Sequence, residues 1–184
     1  ILSEDIVRAL FGRGEFNNED VLITSQILLV YSFSLPGYML ARIFNQVFYS
    51  YEKVEYPVKA AVPTFICNFI LCFLLYRPLG VLGLAISGAV SIWLNLFIQI
   101  FYLRKNFRSF YEKLLIFDFK KLLKILFSAI IMVILILIFK KILDLNIYVD
   151  LFIQILIGLI IYFLILNWLK LNEIKLVFQL NKFN

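Results

Sequence analysis

The sequence predicts an all-α, polytopic integral membrane protein with five transmembrane helices. Of its 184 residues, 63% are hydrophobic and 17% aromatic, whereas a soluble domain is roughly 45–50% apolar. This excess cannot be buried in one water-soluble core, so the chain must be solvated by lipid. A bilayer core about 30 Å thick needs roughly 20 apolar residues in a helix, and five segments of the chain meet that requirement.

The predicted elements follow one another with short connections. A short amphipathic helix at about residues 4–10 is expected to lie at the membrane interface. "NNED" offers an N-cap and acidic residues for the start of the first span. "RPLG" leaves room only for an antiparallel hairpin between the second and third spans. The spans are predicted at about residues 21–49, with an interruption at Pro36-Gly37, and at 58–76, 79–103, 122–139 and 147–169.

The distribution of basic residues predicts the orientation. Thirteen of the 18 Lys and Arg residues lie on the side that holds the 42–59 loop, the 104–124 segment and the tail at 170–184. Cytoplasmic loops retain Lys and Arg, so this side is predicted to be cytoplasmic and residues 1–20 to lie outside. The chain shows neither an initiator Met nor a signal peptide. Its predicted spans number five, an odd count, and the first would enter the membrane from the outside. We therefore expect further helices upstream.

Composition disfavours several functional classes. The net charge is +6, but the basic residues lie in short loops between apolar runs, so nucleic acid is not an expected partner. The absence of histidine excludes a Ser-His-Asp triad and an HExxH zinc site. Cys67 and Cys72 lie in one apolar run without further ligands, and we interpret them as packing residues rather than a metal site. All 12 Asp and Glu residues lie in loops or at span ends, so we expect neither an enzyme nor a cofactor.

Polar residues form a stripe along the first predicted span. Arg42 is the charged residue of this stripe, and Gln46 follows it by one helical turn. Such a face is costly against lipid and is expected to line the bundle interior or a water-filled cavity. Alternatively, Arg42 lies near the cytoplasmic end and could snorkel to the headgroups. The stripe consists of Tyr31, Ser34, Tyr38, Arg42, Asn45 and Tyr49, spaced three or four residues apart.

The next two spans also carry polar or small residues four positions apart. Small residues at this spacing allow close helix packing in lipid, and amides can bond across the interface. We interpret Gly83, Ser87 and Ser91 as packing residues. Asn68 and Asn95 are candidates for lining a cavity, with interhelical bonding as the alternative for Asn95. The complete sets are Thr64, Asn68 and Cys72 in the second span, and Gly83, Ser87, Ser91, Asn95 and Gln99 in the third.

The last two predicted spans are plainer. "ILFSAIIMVILILIF" contains a single hydroxyl, and the fifth span has only Gln154, Tyr162 and a glycine among its apolar residues. Such helices can face lipid on nearly every side, which suits the periphery of a bundle or a lipid-binding groove.

Four motifs resemble those of one bacterial family. They are "LFGRGEF" at 10–16, "YS..LPGY..AR" at 31–42, "FYSYEKVEYPVK" at 48–59 and "PLGVLGLAIS" at 78–87. On these motifs the chain resembles the C-terminal part of the MurJ/MviN family, the lipid II flippases of the multidrug/oligosaccharidyl-lipid/polysaccharide exporter superfamily. Tyr56 stands where the family usually has Thr before the Pro. The final eighty residues resemble the family only in hydropathy.

The resemblance implies a fold and a mechanism. Residues 21–103 would complete the C-terminal lobe of a two-lobed transporter, and the two peripheral helices at 122–169 would form a groove for a polyprenyl tail. Residues 1–20 would be a periplasmic or interfacial segment, 104–121 a basic cytoplasmic loop and 170–184 a cytoplasmic tail. The cavity-lining candidates are Arg42, Asn45, Gln46, Asn68 and Asn95.

The implied function is translocation of lipid II across the bacterial inner membrane by alternating access. The implied partners are lipid II or a related polyprenyl-linked glycan, membrane lipids and the missing N-terminal helices of the same protein. One alternative is an exporter of another polyprenyl-linked glycan, and a second is a truncated, non-transporting membrane scaffold. An enzyme acting on polyprenyl phosphate is the least favoured, since the spans lack histidine and buried acids.

Overall fold

The computed structural model describes residues 2–108, 119–142 and 147–168. Every regular element in these ranges is an α-helix, which confirms the predicted all-α fold. Three helices are long and apolar enough to cross a membrane, and two more are apolar over residues 123–138 and 148–164. Residues 109–118 of the predicted basic loop and the predicted tail at 170–184 lie outside the described residues. The helices are α1 (Ser3–Phe11), α2 (Asn18–Ser50), α3 (Glu55–Leu79), α4 (Val81–Asn106), α5 (Phe119–Ile142) and α6 (Ile147–Trp168).

The chain forms two compact units. The first contains α2, α3 and α4 and is called the three-helix unit here. The second contains most of α1 together with α5 and α6, and the pair α5 and α6 is called the two-helix unit. α1 has the predicted amphipathic pattern, and the guanidinium of Arg8 donates to the carboxylate of Glu4 over 3.0 Å, one turn earlier.

α4 is the central helix of the three-helix unit. It packs extensively against both α2 and α3, whereas α2 and α3 barely touch. In the first half of α4, the buried residues are all Gly, Ala or Ser. Small residues let helix backbones approach closely in lipid, where van der Waals packing rather than water exclusion drives association. This composition therefore explains why α4 can accept a neighbour on two sides.

α3 and α4 form the hairpin predicted from "RPLG". Gly80 alone separates them and has a φ of +57°, in the left-handed region that glycine enters without strain. Its N–H donates to the carbonyl of Tyr76 over 2.8 Å, which closes the end of α3. Three cross-helix contacts then run in opposite directions along the two helices, so the hairpin is antiparallel. These contacts join Leu75 to Gly83, Cys72 to Ser87 and Thr64 to Asn95.

α2 begins at a capping box and continues without a break to Ser50. Asn17 Oδ1 accepts from the N–H of Asp20, and Asp20 Oδ2 accepts from the N–H of Asn17, both over 3.0 Å. The predicted interruption at Pro36-Gly37 is wrong, because the helix passes through Pro36. Pro36 removes one backbone hydrogen bond. Ending the helix there would leave several backbone groups unpaired in lipid, which costs more.

An aromatic cluster joins the helices at one end of the three-helix unit, where α2 and α4 end and α3 begins. The ring of Phe48 is fully buried, with its centroid 5.5 Å from that of Tyr56 and 5.8 Å from that of Phe107. Tyr56 also lies 5.2 Å from Tyr102. Tyr56 therefore supplies a ring at the centre of this cluster. Each such pair contributes roughly 0.5–1.5 kcal/mol beyond simple burial.

The two-helix unit is held mainly by apolar packing. Ile136 of α5 is 6% exposed. A Cβ added to Gly158 of α6 would lie 3.1 Å from the Cδ1 atom of Ile136, so the glycine marks a close approach of the two helices. Ser128 is fully buried, and its hydroxyl donates to the carbonyl of Lys124 over 2.8 Å.

Candidate functional site

One face of α2 exposes polar side chains within a membrane-spanning helix. Arg42 and Gln46 are exposed in the three-helix unit, together with Tyr31, Tyr38 and Tyr49. Within the described parts of the chain, Arg42 makes neither an ion pair nor a side-chain hydrogen bond. A guanidinium in a span is costly unless an anion, a carbonyl or water reaches it. This face therefore requires a polar environment that the three-helix unit does not itself supply.

Two members of the predicted stripe turn inward instead. Ser34 is 4% exposed, and its hydroxyl donates to the carbonyl of Tyr31 over 2.8 Å. Asn45 is half-buried and bonds to α4. The stripe thus lies along the edge of the interface between α2 and α4, with Arg42 outside that interface and Asn45 within it.

A chain of hydrogen bonds links all three helices at the level of Asn45. Thr64 of α3 donates its hydroxyl to the carbonyl of Ala60 over 2.7 Å and accepts from Asn95 Nδ2 over 3.3 Å. Asn95 Oδ1 accepts from Gln99 Nε2 over 2.6 Å, one turn along α4. Gln99 Nε2 also donates to Asn45 Oδ1 of α2 over 3.0 Å. We call these residues, Asn45, Thr64, Asn95 and Gln99, the amide network.

Gln99 is the centre of the amide network. Its side chain is 1% exposed, and both of its N–H groups are used. Its Oε1 is buried without a donor among the described residues. An interhelical hydrogen bond in a membrane is worth about 0.6 kcal/mol on average and up to about 1.7. The network therefore holds α2, α3 and α4 together with a stabilisation of a few kcal/mol at most.

A second polar contact joins α3 and α4 nearer the hairpin. Cys72 Sγ lies 2.8 Å from Ser87 Oγ and 3.5 Å from Asn68 Oδ1. Ser87 also donates to the carbonyl of Leu84 over 2.8 Å, and Ser91 donates to the carbonyl of Ser87 over 2.7 Å. The buried hydroxyls are thus satisfied mostly within their own helix, as expected of serines at a close interface.

Gly83 sets the closest approach of the hairpin. A Cβ at this position would collide with the carbonyl group of Leu75. Backbone atoms cannot move aside as a flexible side chain can, so a larger residue would separate α3 from α4. The predicted packing residues Gly83, Ser87 and Ser91 are all buried on α4.

The five predicted cavity residues fall into different environments. Arg42 and Gln46 lie on the exposed face of α2, whereas Asn45 and Asn95 belong to the amide network. Asn68 is half-buried beside Cys72. The structure therefore does not bring all five together on one surface. Sequence reasoning did not identify Gln99 as the centre of the network, because only the packing of α2 reveals which amide lies between two others.

The two-helix unit contains a polar pair that the sequence did not single out. Gln154 is 1% exposed, and its Nε2 donates to Asp150 Oδ2 over 2.7 Å, one turn earlier on α6. Asp150 Oδ1 and Gln154 Oε1 are buried without donors in the described ranges. No group of three or more His, Cys, Asp or Glu side chains suited to a metal occurs in those ranges.

Long apolar helices joined through buried amides and small residues define a polytopic α-helical membrane protein. The family model described as "Lipid II flippase MurJ" matches residues 1–163, which is most of the chain. The chain belongs to the lipid II flippase MurJ family, as the sequence motifs predict.

Individual relatives agree with this assignment. A probable lipid II flippase MurJ of Rhizobium tropici is 33% identical over 95 residues, which are 52% of this chain and 18% of that protein. The corresponding protein of Helicobacter pylori is 32% identical over 142 residues, or 77% of this chain and 30% of that protein. The solved "Lipid II flippase MurJ, inward closed conformation" matches 89% of this chain with a TM-score of 0.74 and 27% identity.

The chain is much shorter than these relatives. It covers 18% and 30% of the two curated proteins and 32% of the solved chain. Two-thirds or more of each relative therefore lies outside the region of similarity.

Proposed function

We propose that this chain forms part of a flippase that moves lipid II across the bacterial inner membrane. Membership of the MurJ family supports this activity. The similar proteins from Rhizobium tropici and Helicobacter pylori are each named probable lipid II flippase MurJ. The observation that supports this chemistry is the guanidinium of Arg42 on the exposed face of α2, which has no partner among the described residues.

The proposed role of Arg42 is to hold the anionic part of the substrate. A lipid-linked precursor carries a pyrophosphate between its tail and its headgroup, and an arginine fork binds phosphate oxygens through two parallel hydrogen bonds. Tyr38 precedes Arg42 by one helical turn and Gln46 follows it by one turn, and both are exposed. They would offer hydrogen bonds to sugar or peptide groups on either side of the pyrophosphate.

Asn45 and Asn95 have a different proposed role. Both already take part in the amide network, so direct contact with substrate would cost at least one interhelical bond. We assign them to positioning, because the network fixes the rotation of α2 that exposes Arg42 outside the interface. Asn68 keeps the predicted role of a polar residue facing a cavity, since its Nδ2 has no partner among the described residues.

Alternating access requires each lobe to move largely as one body. The amide network and the aromatic cluster both tie α2 to α4, and the hairpin contacts tie α4 to α3. These connections suit a three-helix unit that rocks without internal rearrangement. The apolar α5 and α6 would bind the polyprenyl tail, and the basic side of the protein, with the C-terminus, would face the cytoplasm.

The test replaces Arg42 in the complete transporter that contains this segment. Flipping of labelled lipid II is measured in proteoliposomes by the accessibility of its headgroup to an impermeant reagent. Arg42→Ala should lower the rate at least tenfold, because the pyrophosphate loses its charged partner, while Arg42→Lys should retain part of the activity.

Arg77→Ala is the matched control, since Arg77 is also an exposed arginine but lies at the hairpin end of α3. Unchanged flipping in Arg42→Ala would show that Arg42 only snorkels to the headgroups. Competition by other polyprenyl-linked glycans separates a lipid II flippase from a related exporter. A product limited to these residues that accumulates without transport would instead indicate a scaffold.

A further inference from the structure

The Asp150–Gln154 pair of α6 contains two buried oxygens that lack a hydrogen-bond donor. Gln154 Nε2 donates to Asp150 Oδ2 over 2.7 Å, which satisfies one edge of the carboxyl group and one edge of the amide. On the other edges, Asp150 Oδ1 and Gln154 Oε1 are both buried without a partner among the described residues. A buried acceptor without a donor is costly, and more so when it carries charge. These two oxygens, one helical turn apart, therefore require a donor.

The space around the pair restricts what can supply this donor. Neither oxygen borders a gap that admits a water molecule, and a buried water needs both room and several polar partners. A hard metal ion takes about six oxygen ligands, whereas the pair offers two. The described ranges also contain no group of three or more His, Cys, Asp or Glu side chains suited to a metal. A proton on the carboxyl group needs no additional room.

Few charged groups surround Asp150 in the two-helix unit. Lys124 is the only titratable side chain described on α5, and it lies near the start of that helix. The start of α6 follows the end of α5 after four residues, so Asp150 lies near the opposite end. On α6 itself, Tyr148 is exposed. Lys140 and Lys141 belong to the last turn of α5, so an ion pair between Asp150 and either lysine is the competing explanation.

We propose that Asp150 binds a proton on Oδ1 and is a neutral carboxylic acid when α5 and α6 are packed together. A protonated carboxyl group has one O–H donor and keeps an acceptor oxygen. Oδ1 would donate to Gln154 Oε1 while Gln154 Nε2 donates to Oδ2, so the two planar groups form two parallel hydrogen bonds. The proton comes from water, and no other bond is formed or broken. One proton therefore satisfies both oxygens and removes the charge from the interior of the unit.

This proton would make the packing of α5 against α6 sensitive to pH. Loss of the proton leaves a buried carboxylate beside a second acceptor, and a buried charge without a partner weakens packing. The stabilisation should therefore be complete at low pH and be lost as the pH rises through the range in which Asp150 ionises. The site uses only residues of the two-helix unit, so it is independent of the role proposed for Arg42.

Infrared difference spectroscopy of the complete transporter in membranes tests the protonation. A protonated carboxyl group has a carbonyl stretching band that an ionised carboxylate lacks, and this band shifts in D2O. Asp150→Asn should remove one such band at neutral pH. Asp20→Asn is the control and should remove none, because Asp20 caps the exposed start of α2 through its carboxylate. The absence of any band that depends on Asp150 would overturn the proposal.

Thermal unfolding of the same proteins gives an independent measurement. Asparagine has the shape of the protonated acid, with one donor and one acceptor on the same planar group. Asp150→Asn should therefore unfold at nearly the same temperature as the unmodified protein at neutral pH, and should lose less stability as the pH rises. An identical pH dependence, or an unfolding temperature lowered by several degrees at neutral pH, would contradict the proposal. The second result would indicate an ionised Asp150 paired with Lys140 or Lys141.

Discussion

The three-helix unit and the two-helix unit use their buried amides in opposite ways. In the three-helix unit, Gln99 bonds to Asn45 on another helix and to Asn95 on its own. In the two-helix unit, Gln154 bonds to Asp150 one turn earlier on the same helix, and its Oε1 has no donor in the described residues. Both glutamines are 1% exposed, so burial alone does not distinguish them.

The difference concerns what each hydrogen bond can stabilise. A helix in a membrane keeps its secondary structure when it separates from its neighbours, so a bond within one helix persists in the separated state. A bond between helices is lost on separation and contributes to association. The amide network should therefore strengthen the three-helix unit, while the Asp150–Gln154 pair should add little to the packing of α5 against α6.

The largest effect is expected at the backbone contact of the hairpin. Gly83→Val should lower the free energy of unfolding by about 3 kcal/mol, because the added side chain would collide with the Leu75 carbonyl group and force α3 from α4. Unfolding in mixed micelles measures the change. Gly88→Ala is the control on the same helix, since its Cβ would meet nothing within 4 Å. Equal stability of the two variants would contradict the close approach at Gly83.

The amide network should come next in size. Gln99→Leu removes the hydrogen bond to Asn45 across the helix interface, whereas the bond to Asn95 that it also removes lies within α4. We therefore expect a loss of about 0.6–1.7 kcal/mol in the same measurement. Gln46→Leu is the control, because Gln46 is exposed and its side chain forms no hydrogen bond among the described residues. A double-mutant cycle of Gln99→Leu with Asn45→Ala should give a coupling of roughly 0.6 kcal/mol or more. A coupling energy of zero would show that the hydrogen bond between Gln99 and Asn45 does not stabilise the protein.

The helices themselves were largely predictable from the sequence. Each predicted span overlaps a helix of the structure, since in lipid a long apolar run has no other way to satisfy its backbone. The predicted interruption at Pro36 was wrong because it relied on the helix-breaking propensity that proline has in water. Proline ends a helix there when solvent can bond the freed carbonyls, but lipid cannot do so.

The site was predictable only in part, because periodicity assigns a residue to a face but does not say what covers that face. The stripe on α2 correctly groups Arg42 with exposed tyrosines, yet Asn45 differs from Arg42 by only three positions and lies in the interface. The rotation of α2 about its own axis, relative to α4, determines which of these two residues lies in the interface. An apolar groove between α2 and α4, lined by residues that include Phe33, Val90, Trp93 and Phe97, depends on the same rotation and has no signature in the spacing of residues.

A smaller effect is expected in the two-helix unit. Gln154→Leu should change the free energy of unfolding by less than about 1 kcal/mol, because its hydrogen bond to Asp150 is internal to α6 and survives helix separation. The measurement is the same as for Gln99→Leu, so the two variants can be compared directly. A loss as large as that of Gln99→Leu would mean that the pair bonds across helices and that the contrast between the units is wrong.

The smallest effect is expected at Gly37, where α2 passes the groove. An added Cβ would lie 3.3 Å from Ile92 Cγ2 and 3.3 Å from Cδ2 of the Trp93 ring, which is tight but can be relieved if the ring moves into the groove. Gly37→Ala should therefore cost less than about 0.5 kcal/mol, since alanine also favours the helix. Unfolding in mixed micelles measures the change, with Gly88→Ala as the reference. A loss of more than about 1 kcal/mol would mean that the Trp93 ring cannot move aside.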